Sequence, residues 1–464
     1  MSEHSDQAGA PSLLETLAER LSKPVDEATV ARAAEHVHDW IGCAYAGSVQ
    51  PVGRVLAAAL HTEGSGPCRA LGQSDTVSPA AAAFHNGGLG NVLEMDDIHR
   101  SSRSHPGPVI IPAALAAAEW SGASPQDFLK AVVRGYEAAL RIGRSLGPAH
   151  YALWHNTSTC GVFGAAAAVS DLLNLTHEQT VWALGNAGAQ AAGPWRCRHE
   201  PVMTKQLHTA HAAADGLKAA MLAKHGFTGA RFMLEGEQGF YAATAPDAEL
   251  AAVNATPDAP WLVWETSFKP WPSCRFTHTA IDAALILREQ ELALDNIAKV
   301  RIDTYADANV ICNEPTPVSE IQAKFSLQHA VAATLINGPP GLDQFRGASL
   351  TNPAIAALRA RCQITETKRF NDAYPHHFGT AVVIELNNGS EFEAACADAL
   401  GDPENPVSSE AIQGKARTLM ADAGLDDASI AEISRTCTEL AHSDSICALT
   451  QALASPTKPS SDNL

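Results

Sequence analysis

Clusters of basic residues are missing from this sequence, which carries a formal net charge of −19 at pH 7. Nucleic-acid binding depends on grouped Lys and Arg side chains, so their absence argues against a nucleic-acid partner. Long apolar runs are also missing, because no window approaches the roughly 18 uncharged residues that a membrane-spanning helix needs. We therefore expect neither a nucleic-acid nor a membrane partner.

Closely spaced cysteine pairs are missing as well. The ten cysteines lie far apart, with no CxxC pair and no zinc-finger spacing. The first residues, "MSEHSDQAGAPSLLETLAERL", lack the basic segment and apolar core of a secretion signal. Both features predict a cytoplasmic protein with reduced thiols.

Aromatic residues make up only 6% of the chain, whereas alanine dominates its apolar residues. This composition favours closely packed helices over a β-sandwich. Apolar spacing of three and four in segments such as "SPQDFLKAVVRGYEAALRIGRSLG" predicts a large all-helical domain over residues 1–266. Alternation in "AKVRIDTYAD" and "TAVVIELNNGSEFEAACA" predicts a smaller α+β lid domain over residues 267–399. Residues 400–464 return to helical spacing, so we predict a mostly α fold in which they rejoin the first domain.

The first polar segment, "LEMDDIHRSSRSHPGPVIIPAALA", combines three acids with a histidine. Glu94, Asp96 and Asp97 precede His105, and the proline after His105 predicts an extended loop. A carboxylate beside an imidazole can orient the ring and tune its proton affinity, as a general acid or base requires. A solvated loop with helix-capping aspartates is the alternative.

The second segment, "WHNTSTCGVFGAAAA", follows Tyr151 and begins with His155. The hydroxyls of Thr157 and Ser158 are predicted to cap a helix that starts near Cys160. The free N–H groups at such a helix end can bind an anion, so a substrate carboxylate would fit there. A simple helix cap beside a buried, hydrogen-bonded histidine is the alternative.

The third segment, "RCRHEPVMTKQLHTAHAAADG", places Lys205 at the start of an alanine-rich helix. This lysine could hold a substrate carboxylate, or it could have a lowered pKa through burial. His208 and His211 resemble an HxxH metal pair, but no HExxH glutamate accompanies them. We therefore expect no metal, and a metal-dependent hydrolase that uses these histidines and the acidic loop is an alternative.

The fourth segment, "SFKPWPSCRFTHTAIDAA", precedes another predicted helix. Lys269 and Arg275 are candidate carboxylate-binding residues, with Ser273 as a further polar contact. His278, at the predicted helix start, is a candidate catalytic residue. Cys274 lacks a local signature that would mark it as a nucleophile.

These segments together resemble the MmgE/PrpD family. The matching stretches cover about residues 20 to 400 in order: "EMDDIHRSSRSHPGPVIIPAALAAAE", "HYALWHNTSTCGVFGAAAAVSDLLNL", "VMTKQLHTAHAAADGLKAAMLAKHGFTGA", "FKPWPSCRFTHTAIDA" and "VSEIQAKFSLQHAVAATLING". The resemblance implies a helical domain, an α/β lid, a cleft between them, a homodimer, and neither metal nor other cofactor. It also matches His105, His155, Lys205 and His278 to family motif positions.

The resemblance implies proton transfer at the carbon α to a carboxylate of a small di- or tricarboxylate. Such chemistry needs a base, an opposing acid and cations that stabilise the developing enediolate. We hypothesise that His155 or Lys205 moves the proton and that His105, held by Asp96 or Asp97, is the partner acid. Tyr151 is a further catalytic candidate.

The reaction class stays open at this point. A dehydratase-like lyase is favoured, and the alternatives are an epimerase of an iminodisuccinate-like substrate and a cis-aconitate-type decarboxylase. The family's tyrosine before "KFS" has no counterpart in "NVICNEPTPVSE", which argues against the decarboxylase. A polycarboxylate-binding protein without catalytic activity is the remaining alternative.

Overall fold

Helices dominate the fold, and the strands form only small sheets. The computed structural model describes residues 10–60, 62, 64–200, 202–290, 292–455 and 457. The chain divides into two units: unit 1 is Met1–Val92, Asp96–Thr266 and Ser409–Leu464, and unit 2 is Leu93–Met95 and Ser267–Ser408. The prediction of a mostly α fold with a smaller α+β part is confirmed.

Unit 1 is built from helices around one apolar core. Among the described residues up to Thr266, the α-helices of unit 1 are α1 (Leu13–Leu21), α2 (Glu27–Ser48), α3 (Pro51–Leu60), α4 (Pro79–Gly87), α5 (Gly107–Ser121), α6 (Pro125–Arg144), α7 (Pro148–Leu153), α8 (Asn156–Leu172), α9 (His177–Gly188), α10 (Thr204–Lys224) and α11 (Phe240–Thr244). Short 3₁₀ helices lie at Trp195–His199, Leu250–Ala252 and Leu262–Glu265. The strands β1 (Ser65–Arg69) and β2 (Thr76–Val77) form an antiparallel pair, and β3 (Ile98–His99) is a further short strand.

Unit 2 combines helices with a four-stranded sheet. Its helices are α12 (His278–Arg288), α13 (Ala306–Cys312), α14 (Glu320–Lys324), α15 (Leu327–Asn337), α16 (Ala348–Thr351), α17 (Pro353–Arg359) and α18 (Lys368–Ala373), with 3₁₀ helices at Arg275–Thr277, Leu294–Asn296 and Leu342–Phe345. Its strands are β5 (Ile297–Thr304), β6 (Cys362–Glu366), β7 (Thr380–Leu386) and β8 (Glu391–Cys396). The two-residue strand β4 (Thr266–Ser267) comes where the chain passes from unit 1 to unit 2. The chain then returns to unit 1 through α19 (Ser409–Asp422), α20 (Asp427–Glu439), a 3₁₀ turn at Leu440–His442 and α21 (Cys447–Ala452).

The sheet of unit 2 has the strand order β6-β5-β7-β8. The alternating runs of "TAVVIELNNGSEFEAACA" form β7 and β8, which pair in antiparallel fashion around a turn in which Gly389 has a φ of 82°. A left-handed φ at that position favours glycine. Strand β6 pairs with β5 in parallel, and sequence reasoning missed it. Only Cys362 is buried in β6, so the strand carries no alternating apolar signal.

Helix α8 lies at the centre of unit 1, and nearly all of its residues are buried. Its glycines allow other helices to approach closely. A Cβ atom added at Gly164 would lie 2.7 Å from the carbonyl oxygen of Gly135 on α6 and 2.8 Å from the Cβ atom of Ala139. The "GVFGAAAA" run therefore packs α8 tightly and gives its N-terminal end a rigid support.

Replacing Gly164 with alanine should lower the free energy of unfolding by roughly 1–3 kcal/mol, because the added methyl group overpacks the contact between α6 and α8. The matched control is Gly414→Ala within α19, where an added Cβ meets only the end of Arg417, 3.9 Å away. That control should instead gain up to about 1 kcal/mol of helix propensity. Urea unfolding of both variants tests this difference, and equal effects would contradict the packing.

No helix among the described residues has both the length and the apolar character that crossing a membrane requires.

Candidate active site

Helix α8 begins at Asn156 rather than near Cys160, which corrects the prediction for this segment. His155 takes the capping position with extended backbone angles (φ −85°, ψ 103°) and makes no side-chain cap. Its own N–H donates to the carbonyl of Gly193 at 2.8 Å. Thr157 and Ser158 therefore fall inside the first helical turn and do not cap it.

The hydroxyls of this first turn connect α8 to neighbouring segments of unit 1. Thr157 Oγ1 accepts a hydrogen bond from the backbone N–H of His105 at 3.0 Å. Ser158 Oγ donates to the carbonyl of His208 at 3.0 Å. The polar side chains that follow Trp154 thus hold the two histidine-bearing segments against the start of α8.

His105 lies in the loop before α5 and is oriented by two acceptors. Its Nδ1 atom is 2.8 Å from the carbonyl oxygen of Asp97 and 3.0 Å from Oδ2 of Asp96. Because both partners are acceptors, Nδ1 carries a hydrogen, and Nε2 is left as the atom that can accept or deliver a proton. Of the two aspartates offered by the sequence, Asp96 is the one whose carboxylate contacts His105.

The carboxylate of Asp97 has different partners. Its Oδ2 atom accepts hydrogen bonds from Tyr136 Oη at 2.6 Å and from His36 Nδ1 at 2.8 Å. Its Oδ1 atom accepts from the backbone N–H of Gly107 at 2.9 Å. Burial, and then the Asp97 carboxylate, raise the pKa of Tyr136, so the phenol keeps its proton and donates. The Asp97 carboxylate therefore anchors the loop, while the Asp97 backbone carbonyl contacts the His105 ring.

His155 is buried among aromatic rings and cations. Its ring centroid lies 4.3 Å from that of Trp195, and its Nδ1 atom is 3.3 Å from Nδ1 of His208. Burial, and then the charge of Lys205, hold the pKa of His155 well below its usual value. The imidazole is therefore neutral at neutral pH and can accept a proton.

Lys205 is the second residue of α10, and Tyr151 lies on α7. The Lys205 ammonium lowers the pKa values of both His155 and His208, after burial, which places its charge in the same cluster. The Tyr151 ring lies edge-on to Trp195 at 6.0 Å. Trp195 thus lies beside the rings of both Tyr151 and His155.

His208 and His211 are used in other ways than as a metal pair. Burial lowers the pKa of His208 to about 4. His211 Nδ1 is 3.3 Å from Oδ2 of Asp215, and its Nε2 atom is 3.3 Å from Ser158 Oγ. Within the described ranges, the group of three side chains with ligand atoms close enough to share an ion is in unit 2, at His377, Asp398 and Glu404.

Unit 2 contains a second cluster of predicted residues. Lys269 is fully buried, and its Nζ atom lies 3.8 Å from Oε2 of Glu94. Glu94 has a φ of 58°, a left-handed conformation that is unusual for a residue other than glycine and common at functional sites. A hydrogen bond with Cys312 lowers the pKa of the Cys274 thiol, and Lys269 acts in the same direction.

The remaining predicted residues of unit 2 are buried in polar contacts. Arg275 forms an ion pair with Asp402, and both side chains are almost completely buried. Ser273 Oγ lies 2.8 Å from Thr277 Oγ1. His278, the first residue of α12, has its Nε2 atom 3.2 Å from the carbonyl of Ser273. The pairing of Arg275 with Asp402 favours a structural role for that arginine over carboxylate binding.

The predicted residues fall into two groups. Unit 1 brings together Asp96, Asp97, His105, Tyr151, His155, Thr157, Ser158 and Lys205, whereas unit 2 contains Glu94, Lys269, Ser273, Arg275 and His278. Sequence reasoning missed His36, Tyr136 and Trp195, which lie on helices without any local motif. It also missed Lys324, whose Nζ atom donates to the carbonyl of Leu93 at 3.1 Å. The quoted "KFS" stretch was the one signal that could have drawn attention to this lysine.

The site contains two imidazoles in different surroundings: His105 is oriented by a carboxylate, and His155 is buried and neutral in the same cluster as the Lys205 ammonium. Such a pair is typical of enzymes that use acid-base catalysis. Family comparison agrees with this class. The MmgE/PrpD N-terminal domain matches residues 14–252, and the MmgE/PrpD C-terminal domain matches residues 271–440. The chain belongs to the MmgE/PrpD family and is an enzyme of the lyase type found in that family.

Curated relatives span nearly the whole chain. The cis-aconitate decarboxylase-like protein oryM of Aspergillus oryzae is 29% identical, over 86% of this chain and 88% of its own length. The cis-aconitate decarboxylase of Aspergillus terreus is 27% identical, over 92% of each chain. The mitochondrial 2-methylcitrate dehydratase of Yarrowia lipolytica is 24% identical, over 80% of this chain and 79% of its own length.

Proposed function

We propose that this protein is a metal-independent lyase that transfers a proton at the carbon α to a carboxylate of a small di- or tricarboxylate. The observation that carries the proposal is the pair of imidazoles in unit 1. His105 is oriented by Asp96 at 3.0 Å, and His155 is kept neutral by burial and by Lys205. One imidazole can therefore act as an acid while the other acts as a base.

In the proposed mechanism, neutral His155 abstracts the proton from the α carbon. The electron pair moves into the adjacent carboxylate as an enediolate, and the Lys205 ammonium offsets the added negative charge. The N–H groups at the start of α8 contribute in the same sense. His105, which enters this step as the imidazolium with hydrogens on both ring nitrogens, then donates the Nε2 proton to the hydroxyl group on the neighbouring carbon. The enediolate electrons form the carbon–carbon double bond as the C–O bond breaks, and the hydroxyl departs as water.

Decarboxylation is the second candidate reaction, because a cis-aconitate decarboxylase and a decarboxylase-like protein are 27% and 29% identical, while dehydratases match at similar identities of 24% and 28%. Loss of CO₂ from a carboxylate leaves an electron pair on carbon, which the remaining conjugated carboxylate can accept. His105 or His155 would then return a proton to carbon. The same acid-base groups therefore serve elimination and decarboxylation.

Product analysis by NMR distinguishes these reactions. The purified protein is incubated separately with 2-methylcitrate, citrate, cis-aconitate, tartrate and iminodisuccinate. Formation of an unsaturated acid with loss of water supports the dehydratase, loss of CO₂ from cis-aconitate supports the decarboxylase, and inversion of configuration would identify an epimerase. If a tricarboxylate binds but every compound stays unchanged, the protein is a binding protein and the proposal is wrong.

Chelation should leave turnover unchanged, because the proposed steps use only imidazole, ammonium and carboxylate groups. The measurement compares initial rates on the identified substrate before and after dialysis against EDTA, with and without added Zn²⁺, Mn²⁺ and Mg²⁺. Loss of activity on chelation and its recovery with one ion would contradict metal independence and favour the metal-dependent alternative.

We also propose that the protein is a cytoplasmic homodimer. The family resemblance supports the dimer, and the wide spacing of the cysteines along the sequence, without a CxxC pair, supports a reducing compartment. Light scattering during gel filtration tests the first proposal, and cell fractionation tests the second.

A further inference from the structure

The strongest unassigned feature is a buried hydrogen-bond network behind His105. His36 on α2 and Tyr136 on α6 both bind one carboxylate oxygen of Asp97, at 2.8 and 2.6 Å. Their rings also contact each other edge-on, with centroids 5.4 Å apart. All three side chains are almost completely buried, with relative exposures of 1% for His36, 0% for Tyr136 and 3% for Asp97.

This network ends on the proposed catalytic imidazole. The carbonyl oxygen of Asp97 lies 2.8 Å from Nδ1 of His105, so the position of the Asp97 backbone determines one of the two contacts that orient the ring. The other carboxylate oxygen of Asp97 accepts from the N–H of Gly107 at the start of α5. Three helices thus converge on Asp97, and Asp97 in turn holds His105.

Space around Asp97 is tight. A Cβ atom added at Gly107 would lie 2.8 Å from Oδ1 of Asp97 and 3.1 Å from the hydroxyl of Tyr136. The carboxylate therefore has little room to move while Tyr136 and His36 are in place. Asp97 is therefore held in one orientation. A fixed orientation is what a residue that positions the His105 ring requires.

We propose that His36 and Tyr136 are positioning residues for the acid-base reaction: by holding the Asp97 carboxylate they place the Asp97 carbonyl against Nδ1 of His105, which keeps the proton on Nδ1 and leaves Nε2 for the substrate. The inference rests on the role that the proposed function gives to His105. Neither residue contacts the reacting atoms, so their effect is exerted through His105.

Tyr136→Phe is the first test, with Tyr45→Phe as its matched control. Tyr45 is also fully buried in unit 1, and its hydroxyl donates to the carbonyl of Leu453 at 3.1 Å. Each variant loses one buried hydroxyl, so both should lose thermal stability, and the loss should be larger in Tyr136→Phe because its hydroxyl binds a carboxylate. Only Tyr136→Phe should lower kcat on the identified substrate, by roughly 10-fold or more, with KM nearly unchanged.

His36→Asn and His36→Ala form the second test. The asparagine amide can place a donor near the position of Nδ1, whereas alanine removes the donor. We expect His36→Ala to lower kcat at least as much as Tyr136→Phe, and His36→Asn to recover most of the loss. Equal activity of the two His36 variants, or a Tyr136→Phe variant that behaves like Tyr45→Phe, would overturn the proposal.

A readout that needs no substrate separates this inference from the proposed function. NMR of ¹⁵N-labelled histidine rings reports which ring nitrogen carries the hydrogen. At a pH where the ring is neutral, His105 should be the Nδ1–H tautomer in the wild type and in Tyr45→Phe, and a mixture of tautomers in Tyr136→Phe. An unchanged tautomer in Tyr136→Phe contradicts the positioning role. If instead the tautomer shifts while His105→Ala retains full turnover, the positioning role stands and the proposed catalytic role of His105 is wrong.

Discussion

Replacing His155 with alanine should lower kcat by roughly 10²-fold or more on the identified substrate, because the reaction loses its proposed base. The buried ring contacts Trp195, and its pKa is held well below the usual value by burial and by Lys205. It is therefore already unprotonated at neutral pH, as a base must be. Steady-state kinetics at pH 7 measures the loss.

His85→Ala is the matched control for this variant. His85 is also buried in unit 1, and burial lowers its pKa too, in this case to about 4. Its Nε2 atom lies 3.2 Å from the carbonyl oxygen of Leu71. Both variants lose a buried imidazole and should lose comparable thermal stability, but only His155→Ala should lose turnover. Near-normal turnover in His155→Ala would exclude His155 as the base.

The same base makes a prediction about pH. Because the folded protein lowers the pKa of His155, the neutral imidazole persists below the ordinary histidine value of about 6.5. The acid limb of the wild-type profile of kcat/KM should therefore lie on the acid side of that value. A limb at or above it would contradict a depressed pKa for the essential base.

Replacing His105 with alanine is the second change with a large expected effect. General acid catalysis commonly contributes 10²- to 10⁴-fold, so we expect a kcat loss of roughly that size. Asp96→Asn should cause a smaller loss, since the amide keeps a contact with Nδ1 but removes the charge that stabilises the protonated ring. Rates and KM values of both variants give the comparison.

His177→Ala is the control for surface histidine loss, because His177 is exposed on α9 and contacts only the carbonyl of Glu15 among the described residues. It should retain wild-type turnover. If His105→Ala and His177→Ala have the same activity, His105 does not take part in the reaction.

Sequence reasoning predicted the features that local patterns encode. The apolar spacing of "SPQDFLKAVVRGYEAALRIGRSLG" corresponds to α6, and Ser124 at the start of this segment caps the helix, which is a local signal of a helix start. The Asn-Asn-Gly turn between β7 and β8 is equally local. By contrast, β6 could not be predicted, since its parallel partner β5 is distant along the chain and only one of its residues is buried.

In the candidate site, too, sequence reasoning found the residues that stand in local motifs and missed those that only distant contacts bring into the site. His105, His155 and Lys205 stand in motifs that resemble a known family, so the sequence alone identifies them. His36 and Tyr136 are spaced like core positions of α2 and α6, and only the folded chain shows that they converge on Asp97. In the sequence, Arg275 is a candidate for carboxylate binding. Its ion pair with Asp402 could not be foreseen, because Asp402 is remote along the chain.

Deuterium incorporation tests the central claim, that His105 and His155 of unit 1 move a proton to or from the substrate carbon. The wild type, His105→Ala and His155→Ala are incubated in D₂O with 2-methylcitrate and with cis-aconitate, and carbon-bound deuterium is followed by NMR. We predict that the wild type incorporates deuterium and that each variant does so at least about 10²-fold more slowly. Incorporation at the wild-type rate in both variants would contradict the account.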